Sequence, residues 1–120
     1  MSVMHRWIAA GAIALLTACS SPSAQEAAQN QELATLTPLK QKYQDVVTGF
    51  DFKPGQTLIV SLDLNNYNAM GDDDQAAMKK TVAAAWRKAW QDAHPGQHAT
   101  IHLKFMDFIG RTIGTENVKA

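Results

Sequence analysis

Residues 72–93 (DDDQAAMKKTVAAAWRKAWQDA) carry one long amphipathic repeat between two runs of alternating apolar residues, and that arrangement limits the fold more than any other feature. Met78, Val82, Ala85, Trp86, Ala89 and Ala93 fall on one stripe at helical spacing, with Trp90 at its edge. Lys80, Ala84, Arg87, Lys88 and Gln91 occupy the opposite side. Asp72, Asp73 and Asp74 suit the positive end of the helix dipole, and His94-Pro95-Gly96 supplies the stop. Residues 57–64 (TLIVSLDL) and 99–107 (ATIHLKFMD) alternate with the two-residue period of strands. If neighbours, two strands joined through such a helix run parallel.

Asp107-Phe108-Ile109-Gly110 has Asp and Gly at the first and fourth turn positions, which predicts a type I turn with a glycine bulge. The returning strand then pairs Asp107 with Arg111 and sets Ile113 opposite Phe105. Upstream, Thr37-Pro38 reads as a helix N-cap and first helical residue, and Gly49 as the stop, with Leu39, Tyr43, Val46 and Val47 on one face. The order α-β-α-β-β predicts a small α+β domain over residues 36–120. Its three-stranded sheet carries the long helix on one face. The earlier helix is expected over the other face, where Ile59 and Met106 are otherwise exposed.

The amino terminus has a different character. Arg6 and His5 precede an uncharged apolar run from Trp7 to Ala18, which ends at Cys19, the one cysteine of the chain. A basic start, a short apolar stretch and a small-residue close mark a secretory signal peptide. About a dozen residues of helix reach roughly 18 Å, too short to span a bilayer. Leu16-Thr17-Ala18-Cys19 resembles the lipobox of bacterial lipoproteins. That resemblance implies cleavage before Cys19, a diacylglycerol on its thiol and acylation of the new amino group. Ser20 in place of Asp implies sorting to the outer membrane, with the protein facing the periplasm or the cell surface. The alternative is a plain secretory signal followed by an incidental cysteine. Residues 1–18 are thus read as a removed signal peptide, and residues 19–35, rich in Ser, Ala, Gln and Asn, as lipidated cysteine and flexible tether.

Charge narrows the partners. Cleavage removes Arg6 from the 11 basic residues and leaves all 11 acidic ones, a net charge of about −1. Nucleic acid is not an expected partner. So small a core is compatible with dimerisation as well as with close contact to another envelope protein.

Few residues suggest chemistry. His98 and His102 lie ~13 Å apart on one strand, too far to share an ion, and no third ligand is evident near His94. Asp63, Asn65 and Asp74 occupy the first, third and twelfth positions of a calcium loop, but Tyr67 fails at the fifth and Asn68 replaces the sixth-position glycine. No nucleophile motif or phosphate-cradling glycine loop is present, so neither catalytic residues, cofactor nor metal are assigned. Trp90, at the flank of its stripe, and Tyr67, Asn65 and Asn66 in the polar stretch 65–71 are the candidate binding residues. The helix followed by ATIHLKFMDFIGRTIGTENV, over about residues 76–118, resembles the C-terminal domains of the TonB and TolA energy-transduction proteins. The resemblance implies binding of envelope partners along a sheet edge; the chain lacks their Tyr-Pro box, and no functional residue is carried over. The expected function is a non-enzymatic binding or assembly module for another envelope protein, with the edge of Thr112 to Val118 as candidate surface. A small-ligand or cell-wall glycan binder is the alternative, and an enzyme the third reading.

Overall fold

The computed structural model describes residues 23–120. Their order is α1 (Ala24–Lys42), β1 (Val47–Lys53), β2 (Thr57–Leu62), α2 (Leu64–Ala69), α3 (Asp72–Ala93), β3 (Thr100–Asp107) and β4 (Thr112–Lys119). The class is α+β, but the sheet has four strands in the order β1-β2-β3-β4. Strands β2 and β3 pair in parallel across the α2–α3 connection, and each pairs antiparallel with its outer neighbour.

The additional strand is β1, placed where a helix ending at Gly49 was expected. The first helix stops at Lys42, where the Tyr43 N–H donates to the Leu39 carbonyl. Gly49 instead sits at an irregularity of the β1–β2 pairing, after which Phe50 and Phe52 stand opposite Val60 and Leu58. The three-residue turn that follows uses positive φ at Gly55 (80°) and Gln56 (60°), a conformation that glycine adopts without strain.

The helix also starts earlier than Thr37. Residues 24–35, expected within a flexible tether, are helical from Ala24, and the Ser23 hydroxyl accepts a hydrogen bond from the Glu26 N–H as N-cap. The chain passes through Pro38 without ending the helix. Ala28, Glu32, Leu36, Leu39 and Tyr43 form a stripe turned inward, with Glu32, Leu36 and Leu39 buried. Burial of leucines at roughly 1.5–3 kcal/mol each offsets the hydrogen bond that Pro38 cannot make.

Helix α3 packs along α1 and over β3 and β4, while α1 also reaches β1. Both helices therefore share one face of the sheet, contrary to the expectation of one on each. Met78, Val82, Trp86, Ala89 and Trp90 meet Leu58, Val60, Leu62, Ile101, Leu103 and Phe105 in a single core. The opposite sheet face is largely polar, with rows such as Lys53-Thr57-His102-Asn117 and Asp51-Ile59-Lys104-Thr115. Ile59 and Met106 stay partly exposed there.

The β3–β4 turn forms as expected, with Gly110 at φ 88° and the Asp107 N–H donating to the Arg111 carbonyl. The register beyond it differs: Phe105 faces Gly114, and Ile113 falls at the bulge between the Phe105 and Met106 pairs. Among the described residues, no helix is long and apolar enough to cross a membrane.

Candidate functional site

Two features dominate the surface, one at each end of the sheet. At one end the β3–β4 turn presents Phe108 and Ile109, 86% and 59% exposed. The turn beneath them is rigidly held. Asp107 Oδ1 accepts from the Arg111 N–H at 2.8 Å and the Ile109 N–H at 3.2 Å, and Oδ2 accepts from Arg111 Nε at 2.7 Å. Burial alone would raise the Asp107 pKa, but these donors and the guanidinium charge outweigh it and hold the carboxyl below its ordinary value. Two large apolar side chains are thus displayed on a pinned hairpin beside β4, an outermost strand of the sheet among the described residues.

At the other end, the first turns of α1, the last turn of α3 and the β1–β2 turn enclose a cleft of about 440 Å³. Phe52, Trp86 and Trp90 supply aromatic walls, and Glu32, His94 and Gln29 supply polar ones. Trp86 is fixed by donation from its Nε1 to the His102 carbonyl at 3.0 Å and by its tilt against Phe52 at 6.0 Å between ring centroids. Trp90 stacks on His94 at 4.4 Å, and His94 Nδ1 lies 2.9 Å from the Trp90 carbonyl. Since a carbonyl only accepts, a proton is on Nδ1, and Nε2 makes no hydrogen bond among the described residues.

Among the described residues, one buried side-chain group beside the cleft is unsatisfied, and a second is disfavoured by burial. Trp90 Nε1 is buried and makes no hydrogen bond among the described residues. Glu32 is 3% exposed, and no hydrogen bond or ion pair reaches its carboxyl from the described residues. Burial raises its pKa above the ordinary 4.5, and the nearby His94 offsets part of that rise. An unpaired buried donor such as Trp90 Nε1 costs about 1–3 kcal/mol, and native structures contain few of them.

The candidate binding residues read from the sequence are not brought together. Trp90 is 2% exposed because α1 covers the flank of the α3 stripe; its role is in the core and in the wall of the cleft. Tyr67 is buried as well: Asp63 caps the short helix α2, which turns the ring inward beneath Lys79 Nζ, 5.6 Å from its centroid. Asn66 ties α2 to the preceding loop by donating from Nδ2 to the Asp45 carbonyl at 2.6 Å. Asn65 is exposed. None of these three lines the cleft, which lies at the far end of β2. Leu16, Thr17, Ala18 and Cys19 lie outside the described residues.

Among the described residues, the hydrogen bonding shows no catalytic array. Thr35, Thr37 and Thr48 donate their hydroxyls to backbone carbonyls, and His102 Nδ1 pairs with Asn117 Oδ1 at 2.7 Å. Among the described residues, no three ligating side chains gather around a metal position. The chain matches no protein-family model, no curated protein and no solved structure.

Proposed function

We propose that the chain is a lipid-anchored outer-membrane lipoprotein whose domain binds another envelope protein and performs no catalysis. The observation that carries this reading is the exposure of Phe108 and Ile109 on the pinned hairpin. Isolated apolar side chains on a surface need no explanation, but two adjacent ones on a rigid turn beside a free strand edge favour a docking role.

Topology favours protein over lipid as the occupant. Because β2 and β3 are parallel, with Thr57 opposite His102 and Leu62 opposite Asp107, the Phe108 turn lies at the end of the sheet remote from the β1–β2 turn. The amino-terminal turns of α1 lie beside that β1–β2 turn. A chain anchored through Cys19 would hold the Phe108 turn away from its own membrane.

Crosslinked co-purification from the native envelope tests the reading. Replacing Phe108 and Ile109 together by serine should reduce capture of a specific protein at least tenfold, while thermal stability stays within about 0.5 kcal/mol, as for other exposed positions. Undiminished capture by this variant would remove the hairpin from the reading. Cys19→Ser should abolish acylation and release the chain from membranes on fractionation; a lipid-modified Cys19→Ser protein would refute the anchor.

A further inference from the structure

The sheet face opposite α1 and α3 has a charge pattern of its own. Strand pairing places Lys53, Thr57, His102 and Asn117 in one row across it, and Asp51, Ile59, Lys104 and Thr115 in the next. Lys119, opposite Thr100, falls on the same face two residues beyond Asn117. Three lysines thus share this face with one aspartate, on a chain whose formal net charge is +0. That aspartate is already engaged, since Asp51 holds Lys53 at 3.1 Å. Lys104 and Lys119 make no ion pair among the described residues.

These groups form a track along β3 and β4. Lys104, His102 and Thr100 follow one another on β3, with Thr115, Asn117 and Lys119 beside them on β4. From the Lys104 row to the Lys119 row is about 14 Å at ~3.4 Å per residue. Asn117 steadies the His102 ring, its Oδ1 lying 2.7 Å from Nδ1. With that oxygen accepting, the Nδ2 hydrogens of Asn117 stay available as donors.

Complementarity selects the occupant. Unpaired ammonium groups call for an anion. A protein partner is disfavoured, because the face has no Trp, Tyr or Arg anchor and only the partly exposed Ile59 and Met106 for apolar contact. Single-stranded nucleic acid requires aromatic platforms for its bases, and Phe50, Phe52 and Phe105 all lie on the opposite side of the sheet. A bilayer is planar, whereas neighbouring strands rotate by roughly 20–25°, so four of them curve away from any plane. A flexible hydroxylated chain bearing carboxylates can follow that twist and supplies partners for ammonium, amide and hydroxyl groups alike.

We propose that this face binds an acidic polysaccharide, with its carboxylates at Lys104 and Lys119 and its hydroxyls at Thr115 and Asn117. The surface is separate from the Phe108 hairpin, and the two can be occupied independently.

Calorimetric titration of the full chain in non-ionic detergent with sodium polygalacturonate tests the face. Saturable binding is expected, with none to neutral dextran, and it should weaken as salt approaches about 0.15 M, where the screening length is ~8 Å. Lys104→Glu should lower affinity roughly fivefold or more, whereas Arg87→Glu, the same charge change on the exposed side of α3, should alter it by less than about twofold. Lys119→Glu, at an exposed position, repeats the test if a thermal melt shows Lys104→Glu to be unfolded. Polyglutamate, single-stranded DNA and phosphatidylglycerol vesicles should each bind more weakly than polygalacturonate. No saturable binding of polygalacturonate, undiminished binding by folded lysine variants, an equal loss in Arg87→Glu, or equal or tighter binding of any of the other three anions would overturn the proposal.

Discussion

Replacing Trp86 by alanine is expected to destabilise the domain by about 3–5 kcal/mol, the range for truncating a large buried aromatic. Trp86 is 2% exposed and lies between α3 and the sheet. The substitution also leaves the His102 carbonyl without the Nε1 donor that now approaches to 3.0 Å. For a domain of this size the loss corresponds to a fall in Tm of roughly 15–30 °C, and small domains have only about 5–15 kcal/mol in total. Much of the chain should therefore be unfolded at 37 °C. Arg87→Ala, one position along on the exposed side of α3, should shift stability by no more than about 0.5 kcal/mol. Thermal melts by circular dichroism read both variants. A Tm change of only a degree or two for Trp86→Ala would mean that the ring is not part of the core.

Ala34→Pro is expected to cost about 3 kcal/mol, because proline inside a helix removes one hydrogen bond and clashes with the preceding turn. Ala34 is exposed, so no packing is lost with its methyl group and the effect reports on the backbone alone. The same substitution in a flexible tether would leave stability unchanged. Denaturant unfolding of the two proteins therefore tests directly whether residues 24–35 belong to the folded domain. A midpoint unmoved by Ala34→Pro would return them to a tether.

The elements that could be read from the sequence are those whose signal is local. Helix α3 shows its stripe over six turns, β2 and β3 alternate without interruption, and Asp107 to Gly110 specifies its own turn. Strand β1 was hidden because Gly49 interrupts the alternation at the pairing irregularity, so that only Phe50 and Phe52 keep the period. The first half of α1 was hidden for another reason. Its inward stripe begins with Ala28 and Glu32, one small and one charged, and nothing local marks them as buried. Their burial depends on α3, 61 residues away along the chain at the Gln31–Asp92 contact. The placement of Trp90 followed from the same omission, since a flank residue becomes a core residue only when a second helix covers it. The cleft was not legible at all. It is assembled from three segments distant in sequence, and the features that mark it, a buried carboxyl and an unpaired indole N–H beside it, are properties of tertiary packing.

The early start of α1 also fixes how far the domain can stand from an anchor. With Cys19 as the attachment point, residues 20–23 are all that separate the lipid from the first helical residue, Ala24. Fully extended, the five steps from Cys19 to Ala24 span roughly 18 Å at ~3.5 Å per residue. The Phe108 turn is about one sheet length further out, roughly 25 Å for an eight-residue strand. Tethered there, the module could not search the width of the envelope. Under the proposed anchor, a partner that meets the Phe108 turn would come within a few nanometres of the same bilayer, which would favour a protein seated in that membrane over one reached across the periplasm.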